Sequence, residues 1–163
     1  MNPLVSLVEY HCWANARLLA VCRETATEKL EQAIDGTVES VLKTAWHMLS
    51  VQQAFIEMIT SALTAVPAEV PIDALAVRSK ELDGRLEALV AGLTEGEAAR
   101  MFLVPWFGKE LTVQDGLLQL LTHSIEHRAD MASALNRLGL KTPELDYIFR
   151  IAGDYQEEAA ARG

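Results

Sequence analysis

The longest helical pattern in the chain runs from Thr112 to Leu138, and whatever the protein folds into has to accommodate it. Val113, Leu117, Leu120, Leu121, Met131, Leu135 and Leu138 recur at helical spacing and demand an apolar surface to pack against. Thr112 is placed to cap the helix, Asp115 sets a negative charge in its first turn, and Gly139 is suited to end it. His123 and His127 lie along one edge of the stripe. Residues four apart on a helix differ by about 40° around the axis, so both imidazoles can address one ion. A catalytic metal usually takes three protein ligands and an open position, and of the four histidines only His11 and His47 remain to supply the third nitrogen.

Three further helical patterns precede it. Asn2-Pro3 opens the first as cap and first-turn proline, and Leu4, Leu7, Val8, His11, Leu18 and Cys22 share one side to about Arg23. His11 and Asn15 are polar intruders on that side. The charged stretch from Glu24 to Gly36 reads as a connection with one short turn. Thr37 or Ser40 can cap a second helix reaching about Leu63. Its wide apolar side includes Val41, Met48, Gln52, Phe55 and Ile59, with His47 shielded at the flank, whereas Ser50 and Glu57 fall in a polar band. Prolines break the pattern between Thr64 and Pro71, Asp73 is the expected cap of a third helix to about Leu93, and Lys80, Glu81 and Arg85 face outward. The aromatic, punctuated run from Gly96 to Leu111 reads as a short hairpin or a loop packed over one end. Thr142-Pro143 restarts the chain into a short helix from about Glu144 to Gly153, followed by an acidic tail.

Half of the residues are apolar and no period-2 run is long enough for a sheet core, so the expectation is an all-α four-helix bundle, residues 1–163 forming one domain. A net charge of −9 without a Lys/Arg cluster excludes the electrostatics of nucleic-acid binding. Cys12 and Cys22 stand ten residues apart on one helix, roughly 15 Å, too far to pair. With no export signal and no apolar run of about 18 residues, a cytoplasmic location without membrane association is expected.

In a bundle, His47 can meet the pair from the facing helix as a third ligand. Hydrogen-bonded, partly buried histidines account for the spacing as well. Di-iron chemistry is excluded, because none of the four histidines has Glu three residues before it. His123-Ser124-Ile125-Glu126-His127 does match the inverted His-x-x-Glu-His metallopeptidase pattern, but the remaining chain offers only weakly structured carboxylates as a further ligand.

Taken together, Tyr10-His11-Cys12-Trp13-Ala14-Asn15-Ala16-Arg17-Leu18-Leu19, Thr44-Ala45-Trp46-His47, His123-Ser124-Ile125-Glu126-His127-Arg128, Leu138-Gly139 and Pro143-Glu144-Leu145-Asp146 resemble the DinB-like (DinB/YfiT) superfamily over nearly the whole chain. The resemblance implies an up-down-down-up four-helix bundle whose metal ligands are His47, His123 and His127, commonly holding nickel or zinc. It also implies a homodimer and a small-molecule substrate, and in members of assigned activity a low-molecular-weight thiol, as in bacillithiol S-transferases and mycothiol-dependent maleylpyruvate isomerase. A non-catalytic bundle that binds a metal or small ligand is the competing expectation. Arg128 is followed here by Ala129-Asp130, where the family commonly has Gly-Gln.

Asp130 shares the edge of His127 and is a candidate to fix its ring tautomer, with an ordinary surface carboxylate as the alternative. Glu126 points about 100° away from His127 and is expected in solvent. Trp13 and Trp46 are expected in packing roles, Trp106 at a substrate wall, and Cys12 as a small buried hydrophobe.

Overall fold

The computed structural model describes residues 3–34, 39–62, 64–65, 68 and 70–152. The expected caps Asn2 and Thr37, the expected helix ends Leu63 and Gly153, and the acidic tail lie outside them. In chain order the elements are α1 (Pro3–Arg23), α2 (Thr27–Leu30), α3 (Val41–Thr60), α4 (Ile72–Ala91), α5 (Glu95–Ala99), β1 (Met101–Val104), β2 (Lys109–Thr112), α6 (Val113–Arg137) and α7 (Tyr147–Ala152).

The long helices α1, α3, α4 and α6 form the bundle, and specific contacts set their directions. The end of α1 meets the start of α4 where Arg23 Nε donates to Asp73 Oδ1 at 2.8 Å, so the two are antiparallel. Gln52 Nε2 donates to Asp83 Oδ1 at 2.8 Å, and Glu57 lies 3.9 Å from Arg85, so α3 and α4 run parallel. His47 sits beside His123 whereas Ile59 sits against Gly116, which makes α3 and α6 antiparallel. The order is therefore up-down-down-up, as expected. The parallel pair requires residues 61–71 to return the length of a helix, ~30 Å, which ~3.5 Å per residue allows.

Leu18, Met48, Leu49, Ile56, Leu75, Leu86, Leu117, Leu120, Met131 and Leu135 are fully buried and fill the space between the helices. At about 1.5–3 kcal/mol per buried aliphatic side chain, this core is the main force holding the bundle together. No helix among the described residues is long and apolar enough to cross a membrane.

Local chemistry explains most boundaries. Ser40 Oγ accepts from Lys43 N at 3.3 Å at the start of α3, and Thr112 Oγ1 accepts from Asp115 N at 3.0 Å at the start of α6. Gly139, with φ +77°, ends α6 in the left-handed conformation. Residues 101–112 form the hairpin, β1 and β2 pairing antiparallel from Met101↔Thr112 to Val104↔Lys109.

Several expectations are corrected. Asp73 does not cap α4: the helix starts at Ile72 behind Pro71, whose φ of −57° already suits a helix start, and the Asp73 carboxylate is turned to Arg23. Helix α3 ends at Thr60, short of Leu63, because Ser61 adopts a left-handed φ of 56°. Ser50 and Glu57 are buried. Glu57 turns back to accept from Thr64 N at 2.9 Å and from Gln53 Nε2 at 2.8 Å. The short helix α5, capped by Thr94, was not anticipated, and α7 begins at Tyr147, later than Glu144.

Candidate metal centre

His47 lies in the second turn of α3, and His123 and His127 lie one turn apart near the middle of α6. Because α3 and α6 are antiparallel neighbours, the three side chains enter the same seam from opposite sides. His47 Nε2 is 3.3 Å from His123 Nε2, and His127 Nε2 is 3.0 Å from the same atom. One nitrogen from each of the three residues lies within 4.8 Å of the others. The rings do not stack: interplanar angles of 52°, 72° and 83° turn their edges toward a common point. Two nitrogens on one tetrahedral ion at 2.0–2.1 Å are separated by about 3.3 Å, so these spacings suit a shared cation.

The protonation states agree. Burial first, and then the neighbouring rings of His127 and His47, push His123 down to about 4. His127 is also lowered, by burial and then by His47, against the opposing pull of Asp130 and Glu126. Near neutral pH both imidazoles are uncharged and offer lone pairs, as metal ligands must. The Nδ1 atoms of both rings are buried without a hydrogen-bond partner, and Asp130 Oδ2 stands 3.7 Å from His127 Nδ1. A small rotation of the half-exposed Asp130 side chain would make that bond and fix the tautomer. The donor set therefore fits a divalent ion.

Residues 1–159 of the 163 match the DinB family. This chain belongs to the DinB family. Among solved structures it is similar to a DinB-like protein from Bacillus cereus, with a TM-score of 0.69, 19% identity, and coverage of 83% of this chain and 91% of that one. A DinB-like protein from Bacillus subtilis gives a TM-score of 0.67 at 18% identity over 89% of this chain and 99% of that one. YfiT from Bacillus subtilis, described as a probable metal-dependent hydrolase with an unusual four-helix bundle topology, gives 0.64 at 19% identity over 83% and 87%. No curated protein matches.

Of the other candidate residues only Asp130 stands beside the three histidines. His11 is not among them. It is fully buried on α1, where its Nδ1 lies 3.2 Å from Arg128 Nη1 and its Nε2 lies 3.4 Å from Asp83 Oδ1. Arg128 has only hydrogens to offer to Nδ1, and Nε2 faces both the Asn15 amide nitrogen at 2.9 Å and the Asp83 carboxylate. Burial lowers the His11 pKa, so the ring is neutral.

Glu126 is exposed, as its direction implied. Trp46 packs partly buried on the core, and Trp13 carries the Arg17 guanidinium over its ring at 5.1 Å. Trp106 is 55% exposed in the hairpin turn, edge-on to Phe55 at 6.0 Å. Since Phe55 is eight residues beyond His47, about 12 Å along α3, Trp106 stands some two turns from the ligands. Burial raises both thiols, Cys22 to about 12, and Cys12 is further raised by Asp83 and Glu87, so neither is a nucleophile.

Sequence reasoning did not anticipate that Arg128, Asn15, Asp83 and Gln52 join His11 in one buried polar cluster. Two signals for it were present. Gln52 lies on the apolar side of α3, and Asp83 stands three residues before Leu86 and seven before Val90, on the side of α4 that faces in.

Proposed function

We propose that His47, His123 and His127 hold a single divalent cation, nickel or zinc, and that the protein is a metal-dependent enzyme transferring a low-molecular-weight thiol to a small electrophile. The observation that carries this reading is the convergence of three imidazoles from two antiparallel helices, with the Nε2 atoms of His47 and His127 at 3.3 and 3.0 Å from that of His123. An ion on three uncharged imidazoles keeps its full charge and makes a thiol or water beside it a nucleophile near neutral pH.

What the chain itself lacks favours the thiol over water. Among the described residues no carboxylate joins the three histidines, and Glu126 is exposed, so although the ion would activate water, no protein acid or base beside it would carry the further proton that hydrolysis has to deliver to the leaving group. A thiol, with an ordinary pKa near 8.5, needs no such base. The protein's own two cysteines, Cys22 buried and Cys12 half-buried, both have raised pKa values, so the thiol has to come from outside.

The test is turnover of an aryl halide by metal-loaded protein with a panel of small thiols. Sulfur bonds to the ring carbon, halide leaves, and the thiol proton goes to solvent. Metal-dependent turnover that is abolished in His123→Ala supports the reading. Stoichiometric metal with no acceleration by any thiol, or hydrolysis of ester substrates in its place, contradicts it.

A further inference from the structure

The residue after the last histidine is the most deeply buried charge among the described residues. Arg128 is 2% exposed, and its Nη1 donates to Asn15 Oδ1 at 2.8 Å and faces His11 Nδ1 at 3.2 Å, both on α1. Asn15 Nδ2 in turn donates to Asp83 Oδ1 on α4 at 3.2 Å. The same oxygen accepts from Gln52 Nε2 on α3 at 2.8 Å, and Ser79 Oγ donates to the other oxygen at 3.2 Å. One buried positive charge and one buried negative charge thus close a chain of directional bonds through all four long helices.

We propose that this cluster is the positioning device of the metal centre, with Arg128 and Gln52 as positioning residues that set the roll and register of α6 against α3. The inference rests on the metal reading above. Arg128 is one residue from His127, about 100° around the same helix, and Gln52 is little more than one turn from His47. Packed apolar helices slide past each other by 1–2 Å at modest cost. A roll of about 10° displaces a side-chain tip 5–6 Å from the axis by ~1 Å. Metal–ligand distances tolerate only about 0.2 Å. Hydrogen bonds with fixed partners on α1, α3 and α4 remove that freedom, whereas the Leu and Met contacts of the core do not.

The alternative is that the cluster serves general stability alone. A buried pair replaced by two apolar residues often leaves a fold as stable as before, so Arg128→Met combined with Asp83→Leu separates the two roles. The readout is Co2+ added to untagged protein, its visible absorption reporting coordination geometry and its titration reporting affinity. The expected result is a folded double variant whose Co2+ affinity falls by about 10–100-fold, the range for residues that orient metal ligands, with an altered absorption band. Leu86→Ala, a core truncation on a helix that carries no ligand, is expected to lower Tm and leave the band unchanged.

If the double variant does not fold, Gln52→Leu is read by the same criterion. That change removes a buried amide oxygen that has no partner and cuts only the tie to α3. Wild-type affinity and absorption in a folded variant overturn the positioning role alone. A wild-type protein that takes up no Co2+ overturns the metal reading and this one with it.

Discussion

His47 and His123, 76 positions apart in the chain, bring their Nε2 atoms to 3.3 Å across the seam between α3 and α6. Two neutral nitrogens that close have one proton to share at most, and the third nitrogen, on His127, faces the same atom. A cation satisfies all three at once, which an internal hydrogen bond cannot do.

The lowered histidines make the stability of the ion-free protein depend on pH. His123 titrates at about 4 when folded and near 6.5 when unfolded, and His127 and His11 are shifted in the same direction. Between those values the unfolded chain binds more protons, so stability is full above about pH 6.5 and is lost as pH falls toward 4. Urea denaturation without metal should give a lower midpoint at pH 5 than at pH 7, with a smaller difference for His123→Gln. Equal differences in the two proteins would contradict the assignment.

Gly116 is where the hairpin meets the bundle. A methyl group there would lie 2.5 Å from Phe102 Cζ and 2.7 Å from Cε1, and Phe102 is itself buried with its ring 6.4 Å from that of Phe55. Gly116→Ala gains about 1 kcal/mol of helix propensity but overpacks the contact at a cost of about 1–3 kcal/mol, so a net loss of up to about 2 kcal/mol is expected in urea denaturation. A net gain would show that the hairpin yields freely.

Glu57 holds the chain leaving α3. Its carboxylate accepts from Thr64 N and Oγ1 and from Gln53 Nε2, and these bonds, aided by Arg85, keep its pKa low against the opposing effect of burial. Glu57→Ala leaves those donors without their acceptor, and a loss of about 1–3 kcal/mol is expected in denaturation experiments. A change below about 0.5 kcal/mol would mean that water replaces the carboxylate.

The bundle and the pair His123 and His127 were legible because both are written in helical period, whereas the choice of His47 over His11 as their companion came from the family resemblance. Apolar spacing locates α1, α3, α4 and α6, and the four-residue step from His123 to His127 is itself helix geometry. Partnership across space is written less openly. Glu57 lies among polar residues of α3 and reads as solvated, yet the left-handed turn at Ser61 folds Thr64 back over it. Asp73 has the chemistry of a cap, but Pro71 had already set the helix start and Arg23 claimed the carboxylate. Nothing in the helical pattern of α6 marks Arg128 as buried, and its partners Asn15 and His11 lie more than a hundred positions away on α1.

Ion content measured on untagged protein, purified and then incubated with Ni2+ or Zn2+, tests the centre most directly. The arrangement of His47, His123 and His127 predicts one divalent ion per chain, with affinity falling by more than about 100-fold in His123→Ala, since losing a ligand should exceed the loss of a residue that merely orients one. No bound ion in the wild type, or an ion held equally well by the variant, would contradict it.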